Sequence, residues 1–87
     1  MQEPSLFDYP CEFPIKIMGH TQAGFAQAAL EIVNRHVPDF DGATMGMKTS
    51  KHGKYLSITC VINATSRAQL DALYQELGDH PMVVMVL

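Results

Sequence analysis

The sequence lacks the features of a membrane, secreted or disulfide-linked protein. No apolar run approaches the ~20 residues that a membrane-spanning helix needs. The N-terminal segment has neither a basic region nor an apolar stretch, so we expect no signal peptide. Two cysteines are too few for a disulfide framework. These absences favour a soluble protein that stays reduced in the cytoplasm.

Basic residues are also few. The chain has nine acidic and six basic residues, which give a net charge of −3. Domains that bind bulk nucleic acid usually carry the opposite sign, so the charge argues against a nucleic-acid partner. Apolar residues make up 47% of the chain, which is typical of a globular protein. A length of 87 residues leaves room for one small domain.

Hydrophobic periodicity predicts six elements of secondary structure. Alternating apolar residues predict four strands, at residues 12–19, 43–50, 55–63 and 82–87. Apolar residues at helical spacing predict a first helix at residues 22–36, with Thr21 as its N-cap. A second helix is predicted to begin at the capping box of Ser66 and Gln69 and to end before Gly78.

The order of these elements predicts the fold. Strand, helix, strand, strand, helix, strand (βαββαβ) is the order of the ferredoxin-like two-layer sandwich, an α+β fold. Each helix has one apolar stripe, so both helices should lie on one face of a four-stranded antiparallel sheet. The opposite face of the sheet stays open. We expect this domain to occupy residues 12–87, after a loosely ordered N-terminal tail at residues 1–11.

Four runs of the sequence resemble the YbeD-like family of small bacterial proteins: residues 16–19 (KIMG), 61–65 (VINAT), 73–78 (LYQELG) and 84–87 (VMVL). The resemblance extends over most of the chain, from about residue 10 to residue 87. It implies a ferredoxin-like fold similar to that of the ACT-type regulatory domains, which bind amino acids and dimerise. It carries over no catalytic residue, because no activity is assigned to the family.

No set of residues has the spacing of a catalytic or metal site. The histidines are His20, His36, His52 and His80, which follow no HxH, HxxxH or HExxH pattern. Residues 19–22 read GHTQ where heavy-metal domains with this strand order carry CxxC. We therefore predict no enzymatic activity, no cofactor and no metal. A small hydrolase or transferase that uses His20 is a third functional hypothesis, ranked after a protein-interaction module and a small-ligand sensor.

The open face of the sheet is the first candidate site. Its predicted residues, from the first and third strands, are Lys16, Met18, Ser57, Thr59 and Val61. One set of side chains from the last strand joins them, either residues 82, 84 and 86 or residues 83, 85 and 87. Soluble monomers seldom leave such an apolar strip bare. A partner protein, a second copy in a homodimer or the tail would cover it. We predict no aromatic on this face, so it lacks a platform on which RNA bases stack.

The loop between the second and third strands is the second candidate. Lys48, Lys51, His52 and Lys54 make it a basic hairpin on an acidic protein. One interpretation is a solvated loop that protects an edge strand from pairing with other chains. The other is a docking point for an acidic partner or a small anion.

The junction before the first helix is the third candidate. Gly19, His20, Thr21 and Gly24 lie where free backbone N–H groups and the helix dipole can hold a carboxylate or phosphate. In ACT-type domains this loop lines the ligand site. The alternative interpretation is a turn that needs a small residue at Gly19.

Two leading hypotheses follow. The first is a non-enzymatic regulatory or protein-interaction module that uses the open sheet face, or an edge strand by β-augmentation. The second is a sensor of a small ligand, an amino acid or carboxylate, at residues 19–24.

Overall fold

Residues 9–87 are described by a computed structural model, which contains four strands and two α-helices. The strands are β1 (Cys11–His20), β2 (Gly46–Thr49), β3 (Tyr55–Ala64) and β4 (Val83–Val86). The helices are α1 (Phe25–His36) and α2 (Arg67–Asp79), and a 3-10 turn spans Gly42–Thr44.

The strands form one antiparallel sheet in the order β2-β3-β1-β4. The two long strands, β1 and β3, lie in the middle and pair along their whole length, with Ile15 opposite Cys60 and Ile17 opposite Ile58. The short strands β2 and β4 are the edges. This topology is that of the predicted ferredoxin-like sandwich, and the fold prediction is confirmed.

The core lies between the sheet and the two helices. Alternate residues of β1 and β3 point into it, because successive side chains of a strand face opposite sides. Its sheet residues include Ile15, Ile17, Ile58, Cys60 and Ile62, each at most 1% exposed. The apolar stripes of α1 and α2 close it from the other side. Burial raises the pKa of the Cys60 thiol to about 11.

The two helices begin in different ways. At α2 the predicted capping box is present: the Ser66 hydroxyl accepts a hydrogen bond from the Gln69 N–H at 3.0 Å, and Gln69 Oε1 accepts one from the Thr65 N–H at 2.7 Å. The prediction that Thr21 caps α1 is wrong. Helix α1 begins three residues later than predicted, after Gly24, whose φ of 87° is readily adopted only by glycine.

Other element ends differ from the sequence prediction. Gly19 lies inside β1 rather than after it, and Gly78 lies inside α2, whose C-cap is His80. Strand β2 is shorter than predicted, because Asp41 accepts a hydrogen bond from the Ala43 N–H at 2.9 Å and holds the 3-10 turn in front of it.

The start of the domain is close to the predicted boundary. Strand β1 begins at Cys11, one residue earlier than expected, and Tyr9 packs against the core. The rest of the predicted tail, residues 1–8, lies outside the described residues.

Candidate functional site

The open face of the sheet is formed by the residues of β1 and β3 that alternate with the core. Lys16 lies beside Thr59, and Met18 lies beside Ser57. One row further along, Val61 is paired with Pro14. All five residues predicted for this face therefore lie together on it.

Strand β4 adds Met85 and Leu87 to the same face. Met85 is paired with Met18, and the backbone of Leu87 exchanges hydrogen bonds of 3.1 and 2.8 Å with Lys16. The register shifts between Met18 and Gly19, so the alternation of β4 breaks at that point. As a result Val83 packs against the core while Val84 is exposed. Neither of the two predicted sets is correct as a whole.

The apolar part of the open face is bare in the described structure. Val61, Val84, Met85 and Leu87 are between 48% and 61% exposed. Both helices pack on the other face, and no described element lies over these side chains. Val84 and Met85 of β4 and the following Leu87 adjoin one another, whereas Val61 lies beside Pro14, two strands away from β4. Exposed apolar side chains on one face of a sheet are typical of an interaction surface.

The positive charge of the molecule is concentrated at the end of the open face nearest the β2–β3 hairpin. Lys16 lies on the face, and pairing with Ser57 places Lys48 there as well. Lys51 and Lys54 are exposed in the hairpin, as is His52. Within residues 9–87 none of the four lysines forms an ion pair.

The two arginines, in contrast, belong to the helical layer and are paired. Arg35 forms an ion pair with Glu76, and Arg67 forms one with Asp71 at 3.2 Å between Nε and Oδ1. Among the described acids only Glu12 shares the open face, four residues from Lys16 and so about 13 Å away along β1. Within residues 9–87 the unpaired lysines thus lie on the sheet side, whereas four acids, Glu31, Asp71, Glu76 and Asp79, lie in the helical layer.

An aromatic pair lies at the same end of the open face. His20 and Tyr55 are cross-strand neighbours, with ring centroids 4.8 Å apart and ring planes inclined by 33°. The Lys54 ammonium lies 5.7 Å from the centroid of the Tyr55 ring. The prediction of a face without aromatics is therefore wrong. Tyr55 could have been predicted on this face, because it lies two residues before Ser57 and side chains two apart in a strand share a face.

The β1–α1 junction does not form a single site. Gly19 is buried, and a Cβ at this position would overlap the Met82 carbonyl oxygen and lie 2.7 Å from the Cζ atom of Phe25. The close approach requires glycine. The predicted turn is absent at this position, because Gly19 lies inside β1. The Thr21 N–H donates to the Lys54 carbonyl at 2.9 Å, which ties the junction to the hairpin. Gly24 caps α1, and His20 stacks on the open face.

The remaining histidines have structural partners or are exposed. His36 Nε2 lies 2.7 Å from Glu76 Oε1, and Gln69 Nε2 donates to the His36 carbonyl at 3.0 Å. These contacts join the end of α1 to α2. His80 Nδ1 accepts a hydrogen bond from the Met82 N–H at 3.1 Å. In the described part of the chain no three His, Cys, Asp or Glu side chains are grouped to hold a metal.

Two surface cavities lie along α2, away from the β1–α1 junction. One of about 260 Å³ is lined by Tyr9, Phe13, Arg67, Leu70, Asp71 and Tyr74. A shallower one of about 540 Å³ is lined by Asp71, Tyr74, Gln75, Gly78 and Asp79. Tyr74 borders both; its hydroxyl donates to the Leu87 carbonyl at 3.2 Å, and burial raises the pKa of its phenol. None of the described helices could cross a membrane.

The topology defines a ferredoxin-like sandwich of the ACT type, and solved structures share it. The chain is similar to the solution structure of protein HP0495 from Helicobacter pylori, with a TM-score of 0.76 and 20% identity over 99% of this chain and 89% of that one. It is also similar to the ACT domain of GTP pyrophosphokinase from Chlorobium tepidum. There the TM-score is 0.66 and the identity 17%, over 87% of this chain and 84% of the other. At these identities the likeness shows the fold alone.

Residues 4–87 match the family described as "Protein of unknown function (DUF493)", and the chain belongs to that family. A UPF0250 protein of Nitrosomonas europaea is 60% identical over 87 residues, the whole of both chains. Another, from Bordetella pertussis, is 51% identical over 85 residues, which cover 98% of this chain and 93% of the relative. The YbeD-like resemblance is thereby confirmed.

Proposed function

We propose that the protein is a non-enzymatic regulatory module that binds another protein through the open face of its sheet. The observation that carries the proposal is the group of exposed apolar side chains at Val61, Val84, Met85 and Leu87. Water contact with exposed apolar groups is unfavourable, and binding a partner relieves it. The likeness of the fold to an ACT domain of a GTP pyrophosphokinase supports a regulatory role.

The open face fits this role better than the edges of the sheet do. An added strand gains affinity from main-chain hydrogen bonds along an edge. Both edge strands, β2 and β4, are only four residues long, so either offers few such bonds. The open face extends across three strands, from Val61 to Leu87.

The proposal can be tested by disrupting the open face without disturbing the core. Val61→Asp and Met85→Asp each place a charge on the apolar strip, and Met47→Asp is the control, because Met47 is 58% exposed on the helix side of β2. Each protein is immobilised and used to capture partners from extract of its own cells. A partner retained by the wild type and by Met47→Asp, but lost from the other two variants, is the expected result.

Two results would contradict the proposal. One is a set of captured proteins that is the same for all variants. The other is a protein that retains no partner from the extract and stays monomeric at high concentration.

A second candidate function is a sensor of an amino acid or small carboxylate at residues 19–24. It is favoured by the likeness to an ACT domain, which covers 87% of the chain. Substitution of Gly19 is a poor test, since a side chain there meets Met82 and Phe25 in the core. Thr21→Glu is better, because Thr21 is exposed and the new charge repels a carboxylate.

The sensor predicts that one pool of amino acids or carboxylates shifts the amide NMR signals of residues 19–24. Thr21→Glu should abolish the shifts, and Thr65→Glu, at another exposed position, should keep them. Unchanged spectra with every pool would remove this function.

A further inference from the structure

We propose that the partner of the open face is an acidic segment of another protein, in which carboxylates stand next to apolar side chains. The inference rests on the proposed function and specifies the chemistry of its partner. It is drawn from the positions of the lysines relative to the apolar strip.

One lysine, Lys16, borders the apolar strip directly at Leu87, and a second, Lys48, lies on the same face at the opposite edge of the sheet. Lys16 lies between Leu87 and Thr59, and Lys48 lies beside Ser57, one row away. Two strand spacings and one row separate the Cα atoms of the two lysines, a distance of about 12 Å. Carboxylates four residues apart in an extended segment are about 13 Å apart and so can reach both. Each charge pair formed there would be strengthened by the apolar contacts that exclude water around it.

A second copy of the chain is a poorer match for this surface. Facing two copies through their open faces brings the lysines of both into one interface. Each copy contributes a single described acid to that face, Glu12, which lies opposite Asn63 at the far end. The interface would hold an excess of positive charge, and like charges brought together disfavour an interface. An acidic partner removes this excess.

A nucleic acid also carries negative charge, but the aromatic pair does not suit it. Single-stranded nucleic acids bind to exposed ring faces on which bases stack. The rings of His20 and Tyr55 lie against each other, and the Lys54 ammonium lies over the Tyr55 ring. The apolar neighbour of Lys16, Leu87, and the adjacent Met85 fit a protein side chain rather than a phosphate backbone.

The experiment uses two peptides that differ only in charge. One consists of two Glu-Glu-Val-Val repeats, and the other has glutamine in place of glutamate. A thymidine oligonucleotide of equal charge is the third probe. Each is titrated into the labelled full-length protein, and the amide NMR signals of Met18, Ser57 and Thr59 report binding to the face. We expect the glutamate peptide to shift these signals, and added salt to weaken the binding.

Matched variants identify the charges responsible. Lys16→Gln with Lys48→Gln removes two positive charges from the open face, and Arg35→Gln with Arg67→Gln removes two from the helical layer. We expect the lysine pair to lower the affinity for the glutamate peptide about tenfold, and the arginine pair to change it less than about twofold.

Three results would overturn the inference. Equal binding of the two peptides to the open face would show that the lysines do not select the partner, and would leave the proposed function standing. Shifts of the same signals by the oligonucleotide alone would assign the lysines to phosphates. No response to the glutamate peptide, while Val61→Asp still abolishes capture of the natural partner, would refute the acidic chemistry alone.

Discussion

The two faces of the sheet are built from neighbouring residues of the same strands, yet they differ in almost every property. The centre of the covered face consists of Ile15, Ile17, Ile58, Cys60 and Ile62, which are fully buried. The open face mixes lysines, hydroxyls and exposed apolar groups. Stability is expected to depend on the first set and binding on the second. A shift of one residue in the register of a strand would move its core side chains to the open face and its open-face side chains into the core, because side chains alternate along a strand.

The largest contrast is expected between Ile58 and Thr59, which are adjacent in β3. Ile58→Ala removes a fully buried side chain and should lower the free energy of unfolding by about 2–5 kcal/mol. Thr59→Ala, on the open face, should change it by less than about 0.5 kcal/mol. Urea denaturation of both variants measures the difference. Similar losses for both would show that the open face is also covered in solution.

The reactivity of thiols should also differ between the two faces, because Cys60 is fully buried and the open face is not. Burial raises the pKa of Cys60 to about 11, so its thiolate is scarce at neutral pH as well as inaccessible. A cysteine at the half-buried position of Thr59, in a chain with Cys11→Ser and Cys60→Ala, should react much faster than Cys60. Labelling with a thiol reagent gives both rates. Rapid labelling of Cys60 in the folded protein would contradict the packing described for β3.

A smaller contrast is expected between two glycines. Gly19→Ala must displace the Met82 backbone or the Phe25 ring, and should destabilise the protein by roughly 1–3 kcal/mol. Gly78→Ala meets open space inside α2 and should stabilise it by about 0.5–1 kcal/mol, because alanine favours the helix. Thermal unfolding of the two variants should give melting temperatures on either side of the wild type. Shifts of the same sign would disprove this account of Gly19.

The smallest contrast lies within the helical layer, at the starts of its two helices. Ser66→Ala removes the hydroxyl that accepts from the Gln69 N–H and should cost about 1 kcal/mol. Thr21→Ala should cost almost nothing, because the side chain of Thr21 does not cap α1. Denaturation curves for the pair check this. If Thr21→Ala lowered the free energy of unfolding as much as Ser66→Ala, Thr21 would be the N-cap of α1 and this account would be wrong.

Most of the fold could be predicted from the sequence because the alternation in β1 and β3 is regular. The buried set around Ile17 and Ile58 follows from period two, and Ser66 with Gln69 marks the start of α2. The late start of α1 depends on the positive φ of Gly24, which the sequence permits but does not require. The late start of β2 depends on the 3-10 turn in front of it, which is held by hydrogen bonds to Asp41 and Gly42.

The candidate site was predictable in part. Lys16 and Val61 could be placed from their own strands, and Tyr55 could have been placed by the same alternation. The contribution of β4 could not, since it depends on the register shift beside Gly19. The proximity of Lys48 to Lys16 also needs the pairing of three strands, which no single segment specifies.

The separation of charge between the two layers gives the molecule an electric dipole in addition to its net charge of −3. The field of a negatively charged body acts on both. This field repels the protein as a whole because of its negative net charge. It also rotates the protein so that the basic end of the sheet faces the charged body and the acidic helices face away. The protein would therefore approach an acidic partner in an orientation close to that of the proposed complex, and fewer encounters would involve the helical side.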